Sequence, residues 1–276
     1  MVALVALWHY GSDTMLIQAE GVQRVRAFYG SPNNLALYVE RTFAVVLALA
    51  LFTKQAKWRL LWVATTLIQG ATLILTFSKG ALLLGLPMSF AVLWIGGYLL
   101  LGQRGGARRV LWWLAGAAAL ALLALLPFLA TERFQRLLNF EQGTGFVRLQ
   151  LWRSSWQMAV DHPWFGVGPD NFLCAYRSHY LLPAAWQEPN LNHPHNWPLD
   201  WWTRIGVPGL LLAITWLGLL LWRQWHQLRG GAQPVLALGL LAATAGALTH
   251  GLIDASYALP DLMLVWVLIS HLLVRK

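Results

Sequence analysis

Charge and cysteine are both scarce in this sequence. Of its 276 residues, 11% are charged and one, Cys174, is cysteine. A soluble globular domain carries roughly a quarter charged residues, so the composition argues against a soluble enzyme. It argues equally against disorder, which needs low hydrophobicity and high net charge. One cysteine leaves no intramolecular disulfide and no cysteine-based zinc site. Also missing are a Gly-rich phosphate loop, a Gly-x-Ser-x-Gly elbow and a Ser-x-x-Lys motif, so ATP hydrolysis and serine chemistry have no support. No Asp-x-Asp or Asp-x-Glu pair lies between the apolar runs, which disfavours a transferase that holds its cation on such acids.

What is abundant is apolar surface. Hydrophobic residues make up 58% of the chain and Trp alone accounts for 17. The mean hydropathy is +0.52. Apolar runs long enough to be read as membrane spans occur at about Leu35–Phe52, Leu60–Phe77, Ala81–Leu101, Val110–Ala130, Trp201–Trp222, Ala232–Leu252 and Ala258–Val274. Lipid cannot satisfy open backbone groups, so helices are expected. The fold class is therefore an all-α, polytopic transmembrane helix bundle of about seven spans, with a large and mostly helical loop. Residues 1–130 are expected to hold four spans, 131–200 the loop domain, and 201–276 three more spans. Met1–Trp8 is apolar but too short to cross, and it lacks a basic leader and a cleavage site. It reads as the end of a helix that begins upstream.

The net charge of +9 is explained by its distribution and not by nucleic acid. Lys54, Lys57 and Arg59, then Arg104, Arg108 and Arg109, then Arg223 and Arg229, and finally Arg275 and Lys276 all fall on one side of the seven spans. That side is expected to be the cytoplasm. The long loop Thr131–Asp200 then faces outward, where Gly143–Gly145 reads as a breaker and helices are expected over Phe146–Val160 and Asn171–Leu181. The loop runs against the charge trend, with Arg133, Arg136, Arg148, Arg153 and Arg177 in it. An anionic substrate accounts for them, since guanidinium binds phosphate oxygens in a fork. Pairing with Glu132, Glu141, Asp161, Asp170 and Glu188 of the same loop is the plainer alternative. His193 and His195 suit a general base better than a metal centre, because no carboxylate stands at ligand spacing. A solvated histidine in a Pro-rich loop remains open. Lys79, in the Ser78–Gly80 turn, is either an anion contact or a lysine snorkelling to the headgroups. Glu40 and Arg41 form an adjacent pair inside the first span.

Five segments, in order, resemble the O-antigen ligase and polymerase family of bacterial membrane glycosyltransferases. They are Ser31-Pro-Asn-Asn34-Leu-Ala-Leu-Tyr38, Phe77-Ser-Lys79-Gly-Ala81, Phe146-Val-Arg148-Leu-Gln-Leu-Trp152, Asp161-His-Pro-Trp-Phe-Gly166-Val-Gly168, and His195-Asn196-Trp-Pro-Leu199 with Gly206-Val-Pro-Gly209. The resemblance implies transfer of a glycan from a polyprenyl (undecaprenyl) diphosphate to an acceptor on a lipid, polysaccharide or protein. The reaction is implied to occur at the periplasmic face of the inner membrane, without metal or cofactor. It implies His195 and Arg148 as catalytic residues, and Arg148 and Lys79 as diphosphate contacts, with Arg177 of the same loop expected as a further one. Asn196 and Trp152 are implied as supports. The family's arginine is a lysine at position 79, which keeps the charge and loses the fork. The family has more spans than this chain, in keeping with helices upstream of Met1. A transporter or flippase component for a lipid-linked glycan, or an inactive fragment, is the alternative.

Overall fold

The computed structural model describes residues 1–102, 112, 115–116, 129–131, 143–254 and 260–271. The protein is an all-α membrane protein apart from one short hairpin. Among the described residues the helices are α1 (Val2–Gly11), α2 (Pro32–Phe52), α3 (Ala56–Thr76), α4 (Leu86–Gly102), α5 (Gly143–Asp161), α6 (Phe172–Ala175), α7 (Trp197–Gly230), α8 (Pro234–His250) and α9 (Pro260–His271). A π-helical turn, Ala81–Gly85, leads into α4, and another, Tyr176–Tyr180, continues α6. The stretches 32–52, 56–76, 81–101 and 197–230 are each long and apolar enough to cross a membrane. α8 is a shorter apolar helix. The expected span Val110–Ala130 and the Glu132–Phe140 segment, with Arg133 and Arg136, lie outside the described residues.

The chain divides into two compact units, one of Met1–Phe134, Leu220–His250 and Tyr257–Lys276, the other of Gln135–Leu219 and Gly251–Ser256. In the first unit α2 packs against α3 and α8, and α8 against α4. Ser31 caps α2 by accepting from the Asn34 N–H at 3.2 Å, and Pro32 follows in the first turn. The α2–α8 contact is built on small residues: Ala44, Ala48, Ala242 and Ala243 are buried, and Gly239 lies where a Cβ would crowd the Val45 backbone. Dispersion at close approach holds such helices together, because lipid is as apolar as the side chains.

Several buried polar residues of this unit are paired across helices, among them Ser89 with the Ala242 carbonyl and Gln224 with Thr244. Glu40 has a partner beyond its neighbour Arg41. It meets the His250 Nδ1 at 2.8 Å, while the Arg41 guanidinium sits 5.2 Å from the Trp266 ring centre. Neighbours in a helix point about 100° apart, so facing helices supply better partners. Ile17–Ala19 and Val22–Arg24 form an antiparallel hairpin that the sequence reading did not expect. Its two turn residues, Glu20 and Gly21, both have positive φ, at 51° and 76°, as a tight hairpin turn requires.

Candidate functional site

The second unit is assembled around α5 and the kinked start of α7. Gly143–Gly145, read as a breaker, stand at the start of α5, and Gly143 takes a φ of +78° there. The expected helix Asn171–Leu181 is found as a short α-helix and a π turn, Phe172–Tyr180. Leu151 and Met158 of α5 pack with Phe172 and Tyr176 in one buried cluster, which fixes the two segments together.

α7 is kinked at Gly206, whose φ of 70° and ψ of −175° leave the helical region. Pro208, two residues on, has no N–H to continue the ladder. The backbone groups freed by this kink are met by the turn after α5. Thr203 and Arg204 carbonyls accept from Val167 and Gly168 N–H groups at 2.8 and 3.1 Å, and Val207 N–H donates to Pro163 at 2.7 Å. Gly166 and Gly206 lack the Cβ that would collide with the opposing backbone. Arg204 is thereby aimed at its partners. It pairs with Asp200 at 2.7 Å, donates to the Asn192 carbonyl at 2.8 Å and also donates to the Pro169 carbonyl.

Just ahead of α7 lies the segment Asn192–Asn196. Asn196 accepts from the Leu199 N–H at 3.0 Å, capping α7, and donates to the Leu252 carbonyl at 2.9 Å. Trp197 N–H reaches the Gly251 carbonyl at 2.9 Å. These two bonds draw the 251–254 strand of chain alongside the histidines. Trp152, on α5, donates to the Pro194 carbonyl at 2.9 Å. His195 itself has a φ of 52°, a left-handed conformation uncommon for residues other than glycine and more accessible to histidine than to most.

The result is convergence on one carboxylate. Asp254, 3% exposed, takes the His195 Nδ1 on one oxygen at 2.9 Å and the Arg148 Nη2 on the other at 3.4 Å. An ionised carboxylate only accepts, so in a neutral His195 ring the proton sits on Nδ1 and Nε2 is left as an acceptor. The His193 ring lies 4.2 Å from that of His195, centre to centre. Its Nδ1 meets the Asn192 side-chain oxygen at 2.6 Å, and its Nε2 is sealed from solvent without a partner. Desolvation, reinforced by the neighbouring His195, Arg204 and Arg148, lowers the His193 pKa to about 3 in spite of Asp254, so this ring is neutral at physiological pH.

Of the residues singled out from sequence, Arg148, His195, Asn196 and Trp152 meet here. Arg177 is exposed and donates to the Pro189 carbonyl at 3.1 Å. Lys79 belongs to the other unit, where it is buried and pairs with Glu20 at 3.3 Å rather than snorkelling. Asp254 is the residue that sequence reading missed. The available signal was an acid directly after an apolar run, in His250-Gly-Leu-Ile-Asp254. With it, His193, His195 and Asp254 bring three possible ligand atoms within 4.8 Å of one another. The Arg148 guanidinium on the same carboxylate opposes a dication there.

The family whose model is described as O-antigen ligase matches residues 64–214. That span holds the α5 arginine, both histidines and the α7 kink, whereas Asp254 lies beyond it. No curated protein matches the chain. With more than half of its length matched, the chain belongs to the O-antigen ligase family.

Proposed function

We propose that the chain transfers a glycan from a polyprenyl diphosphate donor to an acceptor hydroxyl at the periplasmic face of the inner membrane, without a metal. The observation that carries this reading is the single Asp254 carboxylate shared by His195 and Arg148. In this scheme Asp254 holds the His195 ring by Nδ1, and Nε2 takes the proton of the acceptor hydroxyl. The acceptor oxygen forms a bond to the anomeric carbon of the donor sugar. The bond from that carbon to the diphosphate oxygen breaks, and its electron pair leaves with the diphosphate. Arg148 uses its remaining N–H groups to stabilise that developing charge. A donor aimed at charge that grows in the transition state is typically worth about 2.7–4 kcal/mol, and a positioned base roughly 10²–10⁴-fold. Arg177 is a further diphosphate contact in the same reading.

The test is transfer from labelled lipid-linked glycan by the purified full chain in proteoliposomes. Arg148→Ala and His195→Ala are each expected to lower the rate at least 100-fold while insertion and folding persist. Full activity in either variant removes that residue from the mechanism. Transfer abolished by EDTA and restored by magnesium or manganese overturns the metal-free scheme and assigns the cation to His193, His195 and Asp254. Label crossing the membrane without covalent transfer identifies a transporter instead.

A further inference from the structure

The end of α5 and the turn that follows it present large apolar side chains to the outside. Arg153, Trp156 and Val160 are exposed at intervals of three and four, so they share one face of the helix. The winding continues past the helix end. His162 N–H donates to the Met158 carbonyl, and Gly166 N–H to the His162 carbonyl, both at 3.1 Å. Trp164 follows four residues after Val160, with Phe165 beside it, and both are exposed. The polar residues of the same stretch bond elsewhere. Asp161 accepts from Gln157 at 2.8 Å and from the Tyr180 hydroxyl at 3.0 Å, and the His162 ring lies 6.5 Å from that of Tyr180. Exposed apolar patches of this kind mark interaction sites.

Where the patch lies relative to a bilayer follows from α7. Residues 205–222 carry no Asp, Glu, Lys or Arg, and Arg204 and Arg223 bound them. At 1.5 Å per residue that run rises roughly 27 Å, close to the roughly 30 Å of a bilayer's hydrocarbon core. Leu211, Leu212 and Ile214 are exposed along it, as lipid-facing side chains are. Trp222, also exposed, marks one end, since tryptophan favours the headgroup layer. The other end is the kink, and the turn is fastened there. Val207 N–H donates to the Pro163 carbonyl at 2.7 Å, and the Trp164 carbonyl stands where a Cβ of Gly206 would be. From Val207 to Leu211 is about one helical turn. Trp164 and Phe165 are thus held level with the edge of the hydrocarbon core. Trp156 is tied to the same end of α7 by an edge-to-face contact with Trp202, 5.3 Å between ring centres. A tryptophan offers that layer an apolar body and an N–H donor, and Arg153 complements anionic headgroups.

We propose that Trp156, Val160, Trp164 and Phe165 dock on the lipid surface, sinking the turn after α5 into the headgroup layer. The patch is continuous with the lipid-facing run of α7, which makes the bilayer its occupant rather than a soluble protein or a second copy. The inference stands apart from the glycan-transfer reading. Its consequence for that reading is geometric: Arg148 lies on the same helix, two turns before Trp156, so docking fixes its height relative to the lipid.

The test places a nitroxide on single cysteines of the full chain in phosphatidylethanolamine–phosphatidylglycerol vesicles. Trp164→Cys and Phe165→Cys, each with Cys174→Ser to remove the native thiol, are the test positions. Leu212→Cys in the same background is the hydrocarbon reference, and wild type labelled at the exposed Cys174 is the aqueous one. Oxygen concentrates in lipid and a nickel chelate in water. The ratio of collisions with oxygen to collisions with nickel is expected to be several-fold higher at 164 and 165 than at Cys174, and lower than at position 212. A ratio equal to that of Cys174 puts the turn in water and overturns the proposal. Spectral broadening at 164 and 165 that disappears on dilution with unlabelled chain identifies a second copy as the occupant and overturns it as well. Wild type supplies a measurement free of substitution. A phospholipid with a diazirine near its headgroup, photolysed in the same vesicles, is expected to label the tryptic peptide 154–177 at residues 156–165. Adducts on α7 peptides with none on residues 156–165 overturn the docking.

Discussion

A histidine becomes a directional base only when something fixes which nitrogen holds the proton. In the proposed scheme His195 is that base, and Asp254 meets its Nδ1 at 2.9 Å. Asp254→Asn keeps the shape but replaces a carboxylate with a group that can donate to Nδ1 and so favour the wrong tautomer. The expected result is a fall in kcat of about 10²–10⁴-fold, with KM for the glycan donor nearly unchanged. A kcat within a few-fold of wild type would leave Asp254 as an Arg148 partner only. His193 makes a different prediction. Its pKa is lowered to about 3, against 6.5 in an unfolded chain. Below 6.5 the unfolded chain therefore binds a proton that the folded one refuses. Stability from this residue is complete above about pH 6.5 and is lost progressively as the pH falls toward 3. His193→Gln should flatten that acid arm of a stability-against-pH curve measured by thermal melting. An identical arm in the variant would assign the acid loss to other groups.

The elements carry the site because each end is tied to another. α5 is tied by Trp152 to Pro194, and the cap of α7 by Asn196 to Leu252. The kink of α7 is tied by three backbone hydrogen bonds to the turn Pro163–Gly168. Gly206 is the weak point of the last connection, with a φ of 70° and the Trp164 carbonyl directly where a Cβ would stand. Gly206→Ala adds backbone strain of roughly 1–3 kcal/mol and a collision besides. It is expected to release the Pro163–Gly168 turn, lower Tm by several degrees and open the turn to limited proteolysis. Unchanged Tm and cleavage would mean that the kink relaxes without cost. Trp164 and Phe165 are exposed on this turn, at 67% and 85%, so cleavage there is readily detected.

For the whole molecule the first question is which side of the membrane the long loop occupies. Cys174 is free and exposed. If the loop is periplasmic, an impermeant maleimide labels wild-type protein in intact spheroplasts and fails to label Cys174→Ser. Labelling only after lysis reverses the topology and removes the periplasmic site with it. The sequence alone determined that the chain is a helical membrane protein, because runs such as Leu35–Phe52 and Ala81–Leu101 have few other stable forms when polar residues are this few. It also singled out Arg148, Trp152, His195 and Asn196, since each sits in a short local motif. It did not disclose Asp254, which is 106 residues from Arg148 and 59 from His195, nor that Glu40 would meet His250, 210 residues away. Local spacing sets which way a side chain points along its own helix. What it meets there is decided by helix packing and by close backbone contacts such as the one at Gly206, and these exist only in the folded chain.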